Sequence, residues 1–144
     1  MFKRITVAYN ESPEASRALA SAIHLAKELG AELRAVTIMQ ALPAYTSYAT
    51  ALDPSIDKTL LEDRRERYEQ LHTKAREAAL REGVELVTDL AEGEEVDAIV
   101  RFVHRYKADL LVIGLHQHAL HISRLWSTVY EVAQDAPCSV LGVH

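Results

Sequence analysis

The feature that most constrains this chain is alternation. Short β-branched runs and stretches of helical period follow one another from end to end. RITVA at residues 4–8 is the first such run. After it Ser12 is placed to cap a helix, Pro13 suits its first turn and Gly30 its C-terminal stop, while Ala18, Leu19, Ala22, Ile23, Ala26 and Leu29 share one face. A strand at 32–38 follows. Residues 39–57 hold two prolines and two tyrosines with no sustained period, and are expected to be a long loop, a functional flap or a disordered segment, in which Tyr45 and Tyr48 either cover the crevice or pack down. A helix is predicted over 58–82, with Leu61, Tyr68, Leu71, Ala75 and Ala78 as its apolar stripe and Gly83 as its stop. VELVTDL gives a third strand. EEVDAIVRFVHRYKA gives a helix with Val96, Ile99, Val100 and Val103 facing inward, and Glu94, Glu95 and Asp97 as acids of its first turn. DLLVIG at 109–114 is apolar after Asp109, as a strand covered on both faces must be. STVYEVAQDAP reads as a short helix ended by Pro137, and CSVLGV as the last strand.

Five strands separated by helices imply an α/β fold, a mostly parallel doubly wound sheet with helices on both faces, because parallel neighbours need crossovers. At 144 residues, 49% hydrophobic and 26% charged, one domain over 1–144 is expected. A ligand of such a sheet sits beyond the C-terminal strand ends, where strand order reverses. With the first strand central, that crevice lies between residues 8–10 and Gly114.

Composition narrows the partners. A net charge of −5 and the acids diluting the basic run EDRRERYEQ speak against nucleic acid. No segment has the apolar length to cross a bilayer, and MFKRITVAYN lacks the apolar run of a signal peptide. Cys138 has no second cysteine to pair with, so a cytoplasmic protein with an inert core thiol is expected.

The stretch GLHQHALHISRLWST, residues 114–128, stands where a nucleotide loop would. Together with VAYNESPEASRALASAIHLAKELGAEL, ADLLVIG and APCSVLGV, it gives the whole chain a resemblance to the universal stress protein family. That resemblance implies a Rossmann-like, adenine nucleotide alpha hydrolase-like fold. It also implies, in nucleotide-binding members, the motif G-x2-G-x9-G-[ST] after the fourth strand. Laid on this sequence, the motif starts at Gly114, meets Gln117 and Ser127 in place of its second and third glycines, and ends at Thr128. The family aspartate after the first strand is Asn10. The GLHQ start is similar to the branch typified by universal stress protein A, whose members as a rule do not bind ATP.

Gln117 and Ser127 put a Cβ where a phosphate loop benefits from glycine. The preferred expectation is a non-catalytic stress-response binding or signalling protein with a degenerate pocket, no resident cofactor and an unidentified protein partner. In the alternative, ATP or AMP binds with slow or no hydrolysis. Gly114, Ser127 and Thr128 would then take the phosphates, with Leu115 and Gln117 between them and Ala8, Tyr9, Asn10 and Ile38 at the base and ribose. A second alternative uses His116, His118 and His121 as metal ligands. No cysteine pair, HExxH or spaced carboxylate accompanies them, so no metal is expected. Finally, CSVLGVH has no charge or interior proline to blunt a sheet edge, which predicts a homodimer through residues 138–143, as the resemblance also implies.

Overall fold

A computed structural model describes residues 1–40, 45–116 and 128–144, with the backbone alone of Tyr45. The elements run β1 (Arg4–Ala8), α1 (Pro13–Leu29), β2 (Glu32–Met39), α2 (Tyr45–Leu52), α3 (Pro54–Arg81), β3 (Leu86–Glu92), α4 (Glu95–Arg105), β4 (Leu110–Gly114), α5 (Thr128–Asp135) and β5 (Ser139–Val143). The strands form one sheet in the order β3-β2-β1-β4-β5, and all four pairings are parallel. β1 is therefore central, and the chain reverses its direction of travel across the sheet between β1 and β4. The doubly wound architecture expected from the alternation is the one observed.

Side chains alternate along the strands and divide the core in two. Ile5, Val7, Tyr9, Leu33, Ala35, Leu110 and Val112 pack under α1 and α3, whereas Leu111 joins Val96, Ile99, Val103 and Val132 under α4 and α5. α1 is bounded as expected. The Ser12 hydroxyl accepts the Ala15 amide at 3.1 Å, Pro13 opens the helix, and Gly30 closes it at φ 62. That left-handed turn lets the Gly30 and Ala31 amides reach back to the Ala26 carbonyl.

Three expectations need correction. Residues 39–57 are not one loop: α2 occupies Tyr45–Leu52, and α3 starts at Pro54, four residues before 58. The local cause is Asp53, whose carboxylate accepts from the amide and hydroxyl of Ser55 while Pro54 fills the first helical position. Tyr48 neither lines the crevice nor packs down but is 81% exposed. Leu61 is exposed as well; the buried positions of α3 are His72, Ala75 and Ala79. His72 makes a 2.8 Å hydrogen bond with the Thr37 hydroxyl of β2, two polar groups satisfying each other inside the core.

β5 is an edge strand paired with β4 on one side. Val140 packs toward α4 and α5 and Val143 toward α1, while Leu141 is 37% exposed. Cys138, just before β5, is half-buried against the α4–α5 core, and that burial raises its thiol pKa. Among the described residues no helix is long and apolar enough to cross a membrane.

Candidate functional site

In a parallel sheet each helix that follows a strand starts at the strand's C-terminal end, so the first turns of α1, α4 and α5 all rise around the same rim. There the structure opens a cleft of about 830 Å³. Ala8, Tyr9 and Asn10 reach it from the end of β1, Ile38 from β2, and Gly114 and Leu115 from β4. His116 and Thr128 line it too. The first strand and the fourth-strand glycine thus meet where the sequence placed them. Gln117, His118, His121 and Ser127 lie outside the described residues. Among the described residues no three histidine, cysteine, aspartate or glutamate side chains converge as a metal site.

Asn10 is committed on one side. Its carbonyl oxygen accepts the Ser12 amide at 2.8 Å, a local turn that delivers the chain into α1. An aspartate here would keep a second acceptor oxygen for a ligand; Asn10 presents an amide donor instead. Gly114 has a packing role that the loop motif does not suggest. A Cβ at this position would run into the carbonyl of Glu14 and come within 2.9 Å of the Ala15 amide nitrogen. The glycine lets the first turn of α1 lie directly on the end of β4.

Two carboxylates enter the cleft that the sequence reading either passed over or assigned to helix ends. Glu14, in the first turn of α1, has only 13% of its side chain exposed, and its Oε1 lies 2.8 Å from Nδ1 of His116. With Nδ1 donating to that carboxylate, Nε2 is the ring nitrogen left for another partner. Glu95, in the first turn of α4, also lines the cleft. Burial pushes its carboxyl pKa up, Glu94 adds to the rise, and His116 opposes it. Its neighbour Glu94 does the capping, accepting the amides of Val96 and Asp97 at 3.3 and 3.1 Å. The signal for both was available: a first-turn acid on a helix that follows a strand of this sheet faces the crevice. Among the described residues lining the cleft there is no lysine or arginine.

Ala8, Val36, Ile38, Ile99 and Ile113 give the cleft an apolar wall on the α4 side. A doubly wound sheet with an apolar-walled hollow at its switch point defines a class of α/β protein in which small molecules commonly bind at that place. The model of the universal stress protein family matches residues 1–144, and the chain belongs to that family. Among curated proteins it is 31% identical over 148 residues to universal stress protein YxiE of Bacillus subtilis, covering 99% of each chain. It is 30% identical over 144 residues to a universal stress protein of Methanocaldococcus jannaschii, covering 99% of this chain and 82% of that protein. Among solved structures, UspA of Lactobacillus plantarum superposes with a TM-score of 0.80 at 22% identity, over 99% of this chain and 98% of that one. A universal stress protein in complex with cAMP gives 0.72 at 22% identity, over 99% and 97%. An Arabidopsis thaliana family protein with AMP bound gives 0.72 at 16%, over 98% and 90%.

Proposed function

We propose that this chain is a non-catalytic binding or signalling module of the stress-response family, cytoplasmic and dimeric, whose cleft admits an adenosine-type mononucleotide and holds ATP weakly or not at all. The observation that carries this reading is the charge of the cleft. Glu14 and Glu95 stand in it with no described lysine or arginine to offset them. A polyphosphate brings several negative charges into that field; a nucleoside or monophosphate brings none or few. The apolar wall suits a flat base, and structural relatives carry cAMP and AMP. Gln117 and Ser127 further narrow a phosphate loop. The Ser12 hydroxyl accepts the Ala15 amide and His116 Nδ1 meets Glu14, and among the described residues no hydrogen bond pairs that hydroxyl with the imidazole as nucleophile and base.

The test is twofold. The purified protein is denatured and any released nucleotide identified by chromatography, and the native protein is titrated calorimetrically with magnesium ATP and with AMP. AMP is expected to bind more tightly than ATP, and stoichiometric ATP in the denatured supernatant, or micromolar ATP affinity, would overturn the proposal.

The dimer is proposed through β5. Its outer edge has no strand beside it in the described chain, and Leu141 is half-exposed beside it. Leu141→Pro removes a ladder donor and is expected to shift light scattering from a dimer toward a monomer; an unaltered dimer in this variant places the interface elsewhere.

A further inference from the structure

A second hollow lies on the α1–α3 side of the sheet. α1 and α3 cover the same core yet touch each other little, and a groove of about 530 Å³ opens between them. This is within the range of about 300–1,000 Å³ usual for small-ligand sites. Helical spacing explains what lines it. Ser16, Ala20, Ile23 and His24 follow at intervals of four, three and one along one side of α1, and Lys74, Ala78 and Arg81 at four and three along α3. Ala20 and Ala78 give the groove two of its smallest lining side chains, one from each helix. Leu19, Ile23 and the Tyr9 ring close the floor, each less than a tenth exposed.

The rim is cationic. Lys74, Arg81 and His24 stand over this floor, and among the described residues none of the three has a hydrogen-bond or ion-pair partner. The acid of the rim, Glu82, is engaged by Lys27 at 3.2 Å. In a chain of net charge −5, two permanent cations and an imidazole left unpaired above an apolar floor are complementary to one kind of occupant. We propose that the α1–α3 groove is a binding site for an amphipathic organic anion, with an aliphatic or aromatic body lying on Leu19, Ile23 and Ala78 and a carboxylate or organic phosphate between Lys74 and Arg81. The site is separate from the cleft and does not rest on the nucleotide reading.

Sodium decanoate, below its micellar concentration, is the probe. Amide spectra of the full-length protein are followed by NMR during the titration, with decanol as the uncharged counterpart. Decanoate is expected to shift amides of residues 16–24 and 74–82 and to leave those of β3 unmoved. Lys74→Glu combined with Arg81→Glu is expected to weaken it about tenfold, with decanol unaffected. Both residues are exposed, and the milder Lys74→Gln and Arg81→Gln pair tests the same charge should the reversal perturb folding. Ala78→Trp fills the floor and is expected to abolish binding of both probes. The proposal is overturned if the groove amides do not respond, or if decanoate binds the charge variants as tightly as the native chain. It is equally overturned if those amides shift with protein concentration alone, which would mean that a second copy of the chain covers the groove.

Discussion

At the cleft, Glu14 and Glu95 meet His116 against walls of Ala8, Ile38 and Ile113; in the groove, Lys74, Arg81 and His24 stand over Leu19, Ile23 and Ala78. Tyr9 belongs to both, its backbone at the end of β1 and its ring among the α1–α3 core. The two hollows have apolar surfaces of the same kind and rims of opposite sign. Fold position alone therefore does not set what each accepts. The cleft is where a doubly wound sheet always offers a site, and this sequence has filled it with acids. The groove is nowhere a doubly wound sheet requires a site, and it lies between two helices that each bring an alanine to its lining.

The largest expected effect breaks the cleft alone. Gly114→Ala drives a methyl into the backbone of Glu14 and Ala15, so the first turn of α1 must shift from β4. A loss of about 1–3 kcal/mol is expected in denaturant unfolding, with decanoate binding in the groove retained. An unchanged midpoint would mean that α1 yields there without cost, and that the glycine is kept for the loop after all.

A second test separates the two sides of the sheet by pH. Burial chiefly, and Arg76 next, hold the His72 pKa below its usual value, against Glu69 and Asp89. The folded state thus binds this proton less readily than the unfolded one. The stability His72 confers is whole above its unfolded pKa of about 6.5 and drains as pH falls from there through the folded value. Within that window the slope approaches at most about 1.4 kcal/mol per pH unit. His72→Gln, which preserves a hydrogen bond to Thr37, should flatten the stability profile between pH 6.5 and the acid limb while costing little at pH 8. A variant profile parallel to the native one would assign acid sensitivity to other groups.

The smallest effect sharpens the charge argument. The Glu95 pKa is raised in the folded state, so its contribution is favourable below the unfolded pKa, near 4.5, and is lost as pH rises through the folded value. Glu95→Gln should accordingly raise the melting temperature slightly at pH 7 and have no such benefit in acid. The same change should strengthen AMP binding roughly threefold to tenfold at low salt. Tighter binding of decanoate instead would show that the two hollows are not electrically distinct.

Much of this was legible in the sequence where local chemistry and tertiary structure agree. Ser12, Pro13 and Gly30 bound α1 as their conformational preferences dictate, and the apolar run after Asp109 could belong only to a strand covered on both faces. The stretch from 39 to 57 was less legible for a physical reason. α2 carries Tyr48 and Leu52 almost fully in solvent, so it has no buried stripe to impose a period. The Asp53-Pro54-Ser55 start of α3 is a strong local signal masked by that neighbour. His72 was unreadable as a core residue because its partner, Thr37, lies on another element. The cleft residues at the ends of β1 and β4 followed from topology, but the acids Glu14 and Glu95 needed the further step of asking which way a helix begins.

α3 deserves one last physical consequence. Its 28 residues make a rod of about 42 Å, against about 23 Å for the seven residues of β3 beside it. All its fully buried side chains, His72, Ala75 and Ala79, lie in the C-terminal half. The N-terminal half, together with α2, is in effect a cantilever: it is fastened at one end and held elsewhere by contacts such as Arg64 on the Gln40 carbonyl at 2.7 Å. Such an arm opens without spending the core's free energy, so its amides should exchange with solvent long before those of the anchored half. The molecule then has two melting units in one continuous helix, divided just ahead of His72.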